Sequence, residues 1–178
     1  MKKVAIDIGH ARNTGARGCG YDEHAQCAVI AEHLKRKLES FKVQNIHADI
    51  VDFPNLSNSG DLAATVNVIN AGDYDAVVSL HMDASDNPDA KGAHVCYCSD
   101  AGSMLAKEIA LRLCPQLPGR AQPTMYRPRL YVLKHTRPVA VLVECGFITN
   151  LDDAVWVAQN AERVALSIAL GVAAYFEG

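Results

Sequence analysis

Three short, largely apolar runs that each break off at a polar side chain constrain this chain most. Val4 to Ile8 is followed by Gly9 and His10, Ala76 to Leu80 by His81, and Val139 to Val143 by Glu144. Near-continuous runs of this length, rich in Val and Ile, suit strands that are covered on both faces. Further strand-like runs fall at Ile46 to Val51, Ala93 to Cys98 and Leu130 to Leu133, and longer helical patterns lie between them. That alternation predicts a single α/β domain over residues 1–178, three layers deep, with helices flanking a six-stranded, mostly parallel sheet.

The helical patterns are read from apolar spacing. Cys27, Ile30, Ala31, Leu34, Leu38 and Phe41 recur every three or four residues, which predicts an amphipathic helix starting near Asp22. Leu62 to Asn70, Met104 to Leu113 and Ala161 to Phe176 supply further helices, with a short one at Asp152 to Gln159. Pro115, Pro118, Pro123 and Pro128 make Cys114 to Arg129 read as a loop.

Several classes of protein are disfavoured at once. With 178 residues, 49% of them hydrophobic and 21% charged, the chain is neither disordered nor low in complexity. A net charge of −3 gives no footprint for nucleic acid. The longest uncharged apolar run, Val164 to Phe176, is too short to cross a bilayer. Too few apolar residues separate Lys3 from Asp7 for a signal peptide, so synthesis in the cytoplasm is expected. The six cysteines form no CxxC pair and read as buried free thiols. No P-loop, GxGxxG, GxSxG or HExxH pattern occurs.

What remains is a pattern of position. His10, His81 and Glu144 all stand at carboxyl ends of strands, and in an open α/β sheet those ends form the ligand crevice. Glu23 lies one helical turn before Cys27 and continues the sheet-facing stripe, so its carboxylate points inward. Two imidazoles and a carboxylate form a His₂Glu set, a standard arrangement for catalytic zinc. A separate general base is then needed, and Glu144, ending an apolar strand, suits that role. Asp22 and His24 flank Glu23 and stand as alternatives to it. His47 opens its strand at the opposite edge, and His33 lies off its helix's apolar stripe. His94, Cys96 and Cys98 share a strand face, but alternate strand positions lie about 6.6 Å apart. That is too far for all three to bind one ion with Zn–S near 2.3 Å.

The chain also resembles a known family. IDIGH (Ile6 to His10), DEHAQCAVIAEHL (Asp22 to Leu34), VVSLHMDAS (Val77 to Ser85), KGAHVCY (Lys91 to Tyr97) and RLYVLKHTRPVAVLVECGFITN (Arg129 to Asn150) occur together and in order. They resemble the zinc-dependent N-acetylmuramoyl-L-alanine amidases of the amidase-3 type, and among them the amidases of phage lysins. The resemblance implies zinc held by His10, Glu23 and His81, with Glu144 as catalytic acid/base. It implies hydrolysis of the amide between N-acetylmuramic acid and L-alanine in peptidoglycan, with access to the wall after lysis or through a holin-type pore. Two readings stand beside it: a zinc peptidase cutting within the stem peptide, and a wall-binding module without catalysis. The chain departs from the family pattern at Asp83, where Asn is frequent, and in lacking an arginine shortly before Asn70. From Ile109 to Val143 there is no acidic residue, while Arg112, Arg120, Arg127, Arg129, Lys134 and Arg137 fall inside. A stem peptide carries carboxylates, so Arg129 and Lys134 are the expected substrate contacts.

Overall fold

The computed structural model describes residues 1–41 and 45–178. β1 (Lys2–Ile8) is followed by a small hairpin, β2 (Arg17–Gly18) and β3 (Tyr21–Asp22), and by α1 (Glu23–Ser40). Then come β4 (Ile46–Val51), α2 (Asn58–Ala71), β5 (Ala76–Asp83), β6 (His94–Tyr97) and α3 (Asp100–Leu113). β7 (Thr124–Tyr126), α4 (Tyr131–His135), β8 (Val139–Phe147), α5 (Leu151–Gln159) and α6 (Ala161–Glu177) complete the chain.

Six strands form one sheet in the order β4-β1-β5-β8-β6-β7. The first four run parallel, while β6 pairs antiparallel with β8 and parallel with β7. The sheet is therefore mostly parallel, with its last two strands reversed. One face buries Val4, Ile6, Val78, Leu80, Val141 and Val143 against Ile30, Leu34, Ile109 and Ile168 of α1, α3 and α6. The other face buries Ala5, Val77, Ala140 and Leu142 with Ile69 of α2 and Val132 and Leu133 of α4. Fully burying a Val, Leu or Ile side chain stabilises by about 1.5–3 kcal/mol, so these two apolar interfaces hold the layers together.

Helix starts follow their capping residues. Asp22 Oδ1 accepts from Ala25 N at 3.1 Å and starts α1, which directs the next side chain, Glu23, back toward the sheet. Ser57, Ser99 and Asn150 cap α2, α3 and α5 in the same way, so these helices begin one to four residues earlier than the apolar spacing indicates.

One expected strand is wrong. Leu130 to Leu133 is not extended: Tyr131–His135 is a helix, with Lys134 N donating to Leu130 O at 2.9 Å. The sixth strand lies instead at Thr124–Tyr126, inside the proline-rich segment read as a loop. β7 is an edge strand bonded only to β6, and flanking prolines are tolerated there because one side needs no N–H. Among the described residues no helix is long and apolar enough to cross a membrane.

Candidate metal centre and active site

Register assembles the site across the carboxyl edge of the sheet. Ile8 pairs with Leu80, which puts Gly9 beside His81; His81 pairs with Glu144, and Glu144 with His94 on the reversed strand β6. Paired positions share a face, so His81, Glu144 and His94 form a row across three strands. Gly9 makes room for that row, because a Cβ there would overlap the His81 imidazole. The chain then turns sharply, with His10 at φ 62°, a left-handed conformation that His adopts more readily than most residues.

The His10, Glu23 and His81 side chains converge. One ligand atom of each lies within 4.8 Å of the others, and among the described residues no other set of His, Cys, Asp and Glu does so. Glu23 Oε1 is 3.0 Å from His81 Nδ1 and 3.5 Å from His10 Nε2. Glu23 is only 2% exposed. Its carboxylate is fixed by Met82 N donating to Oε1 at 3.1 Å and Ala16 N donating to Oε2 at 2.8 Å. His10 Nδ1 donates to Asn58 Oδ1 at 3.1 Å, which leaves the Nε2 lone pair directed at the cluster.

Electrostatics favour a cation at this point. Burial opposes a charged imidazole at His81, yet the hydrogen bond to Glu23 and the charges of Glu144, Glu23 and Asp7 outweigh it and raise the group to about 9. Burial also opposes the Glu23 charge, but His81 and His10 hold its pKa below the usual range. Both shifts favour a charged imidazole at His81 and an ionised carboxylate at Glu23. Two imidazole nitrogens and one carboxylate, held by partners and aimed at one point, fit a borderline-soft divalent ion such as zinc.

Glu144 stands beside the cluster in a different state. Burial, helped by Asp83 and Glu23, outweighs the charges of His81 and Arg120 and pushes its carboxyl up to about 7. Its Oε2 is enclosed and has no hydrogen-bond partner. A carboxyl group that exchanges a proton near neutral pH is suited to act as base and then as acid.

The alternatives to Glu23 are engaged elsewhere. Asp22 caps α1 and pairs with Arg17 at 3.0 Å, and His24 Nε2 lies 3.1 Å from Asp52 Oδ1. His47 is with Glu39 and Asp49 at the far end of the sheet, and His33 is half-buried beside Arg36. Arg129 and Lys134 are both exposed: Arg129 lines a groove of about 270 Å³ with Tyr126, Arg127, Pro128 and Leu130, and Lys134 lies in α4. The arginine whose charge bears on Glu144 is instead Arg120, which stacks over the Phe147 ring at 5.5 Å. Sequence reasoning set His94 aside as a metal ligand with Cys96 and Cys98, and named Arg120 only as one cation of the acid-free segment.

A parallel sheet carrying two imidazoles and one carboxylate beside a desolvated acid defines a class: open α/β proteins with a hydrolase-like metal centre. More narrowly, the chain belongs to the amidase-3 family, described as N-acetylmuramoyl-L-alanine amidase, whose model matches residues 4–174. It is 28% identical to the N-acetylmuramoyl-L-alanine amidase LytC of Bacillus subtilis across 97% of this chain. It spans only 35% of the length of LytC. The catalytic domain of the CD27L endolysin targeting Clostridia difficile superposes with a TM-score of 0.85 at 26% identity, covering 97% of both chains. The N-acetylmuramoyl-L-alanine amidase AmiC2 of Nostoc punctiforme gives 0.84 at 25% identity, covering 99% of this chain and 98% of that one.

Proposed function

We propose that this chain hydrolyses the amide bond between N-acetylmuramic acid and L-alanine in peptidoglycan, with zinc held by His10, Glu23 and His81. The observation that carries the reading is the convergence of those three side chains on one point beside Glu144. When bound, the ion would polarise the scissile carbonyl and lower the pKa of water from about 15.7 to about 7. Glu144 takes a proton from the attacking water as the new C–O bond forms at the lactyl carbonyl. It then returns that proton to the departing L-alanine nitrogen as the C–N bond breaks, so the carboxylate is regenerated. Glu23 stays ionised throughout, held by two backbone N–H groups that leave it nothing to gain from a proton. Arg129 and Lys134 serve as outer contacts for the carboxylates of the stem peptide, and the substrate reaches the site as wall polymer.

Product analysis tests this reading against a peptidase. Mass spectrometry of material released from purified sacculi is expected to show free lactyl carboxylate on muramic acid and L-alanine amino termini. New amino termini within the stem peptide, with the lactyl amide intact, would contradict it. A wall-binding module without catalysis would release neither.

A further inference from the structure

Arg120 and Arg127 meet beyond Glu144 without an acid between them. Arg17 pairs with Asp22 and Arg112 with Glu108, but among the described residues neither Arg120 nor Arg127 forms an ion pair. Both end on one sulfur instead: Arg120 Nη2 donates to Met125 Sδ at 3.3 Å, and Arg127 Nη2 reaches the same atom at 4.0 Å. A thioether is a weak acceptor, and one sulfur cannot satisfy two guanidinium groups that each carry several N–H donors. Two like charges are thus held together with their hydrogen-bonding capacity largely free, which is the arrangement a carboxylate fits.

Register puts the pair on the face that carries the site. His81, Glu144 and His94 form a row across the sheet; Cys96 faces the same way as His94, and Cys96 pairs with Met125. Cys96 and Met125 pack with Ala140 and Leu142, which share that face with Glu144. The metal donors therefore lie on one side of Glu144 and the two guanidinium groups on the other. The charge of Arg120 is felt at Glu144, and those of both arginines at His94.

The backbone anchors both arginines. At the start of β6, Ala93 N donates to Leu117 O at 2.9 Å, and Gly92, at φ 99°, has no Cβ to strike the backbone of Gly119 and Arg120. Arg120 then lies over the Phe147 ring at 5.5 Å. Past the other end of β6, Arg127 N donates to Tyr97 O at 2.7 Å. Arg120 is half-buried and Arg127 exposed, so the pair is open to a ligand from solvent.

We propose that Arg120 and Arg127 form a carboxylate subsite for the departing peptide, taking the first free carboxylate beyond L-alanine and favouring stem peptides in which it is not amidated. The proposal rests on the amidase reading above, because that reading sets the direction of the peptide. Glu144 gives its proton to the leaving nitrogen, so the peptide departs on the Glu144 side, away from the metal donors. Two extended residues span about 7 Å, which brings the carboxylate next after L-alanine, rather than the far end of the peptide, toward the guanidinium pair.

The test is binding of a product peptide to the whole chain, which needs no turnover. The probes for calorimetric titration are L-alanyl-γ-D-glutamyl-L-lysine and its two amides, one at the glutamyl α-carboxylate and one at the C-terminus. Amidation of the glutamyl α-carboxylate is expected to weaken binding about tenfold or more, and C-terminal amidation by less than about twofold. Arg120→Met and Arg127→Met should each weaken binding of the acid peptide about tenfold and leave that of the α-amide within about twofold. Lys107→Met, an equal loss of charge on α3, should change neither. Arg127 is exposed, so its variant keeps the test open if Arg120→Met does not fold. On sacculi, above the acid limb, both variants should raise KM with little change in kcat. No binding of the acid peptide at millimolar concentration, equal affinity for the acid and the α-amide, a penalty that follows the C-terminal amide, or discrimination that survives both arginine variants would each overturn the proposal. Arginine-dependent binding of the acid peptide by a protein that releases no lactyl carboxylate would overturn the amidase reading and leave the subsite standing.

Discussion

On the β5 side of Glu144 the polar groups of the site have partners, whereas on the β6 side they do not. His10 is held by Asn58, and Glu23 by Met82 N, Ala16 N and His81. Across the same strand, His94 Nδ1 and Glu144 Oε2 are both enclosed and unsatisfied. The difference separates two tasks. A metal centre needs donors that are oriented before the ion arrives, because each disordered ligand would lose freedom on binding. Proton transfer needs a group whose two states are nearly equal in energy, and an undersolvated carboxyl supplies that.

Removing the proton carrier while keeping the donors breaks the comparison most severely. Glu144→Gln is expected to lower kcat by about 10²- to 10⁴-fold, the range for losing a positioned acid/base, with zinc content and Tm unchanged. Steady-state rates on sacculi, with metal analysis of the same sample, check this. Loosening a donor on the other side should do the reverse. Asn58→Ala frees the His10 ring and is expected to weaken zinc binding about 10- to 100-fold in a competition titration against a chromophoric chelator. Turnover at saturating zinc should fall far less.

The smallest effect concerns pH. Glu144 must be ionised to accept a proton, and its carboxyl is raised to about 7, so activity is lost as pH falls through that region. Arg120 is one of the charges holding the value down. In Arg120→Met the acid limb of the kcat profile should therefore move to higher pH, by up to about one unit. Lys134→Met should leave the limb where it is.

The same two sides differ in how legible they were. His10, His81 and Glu144 each follow a run of buried strand residues, and Glu23 continues a helical stripe, so pattern brings them to one edge once β1, β5 and β8 run parallel. His94 stands at the start of its strand, not at the end. It reaches the carboxyl edge only because β6 runs against β8, and strand direction leaves no mark on hydrophobic pattern. Spacing excludes His94, Cys96 and Cys98 as a joint metal site but says nothing of His94 alone. Asn58 was hidden for another reason: the first turn of α2 is polar, and only its cap, Ser57, marks it. Leu130 to Leu133 is a short apolar run that fits strand and helix equally, and its helix packs Val132 and Leu133 against the sheet.

The central claim is that His10, Glu23 and His81 share one divalent ion next to Glu144. An anomalous difference map at the zinc edge, from crystals grown with zinc, tests it most directly. The account predicts one strong peak within bonding distance, about 2.0–2.2 Å, of both imidazoles and the Glu23 carboxylate, with Glu144 beside it but not bound. A peak that omits any of the three, or no peak between them in protein that cleaves sacculi, would contradict it.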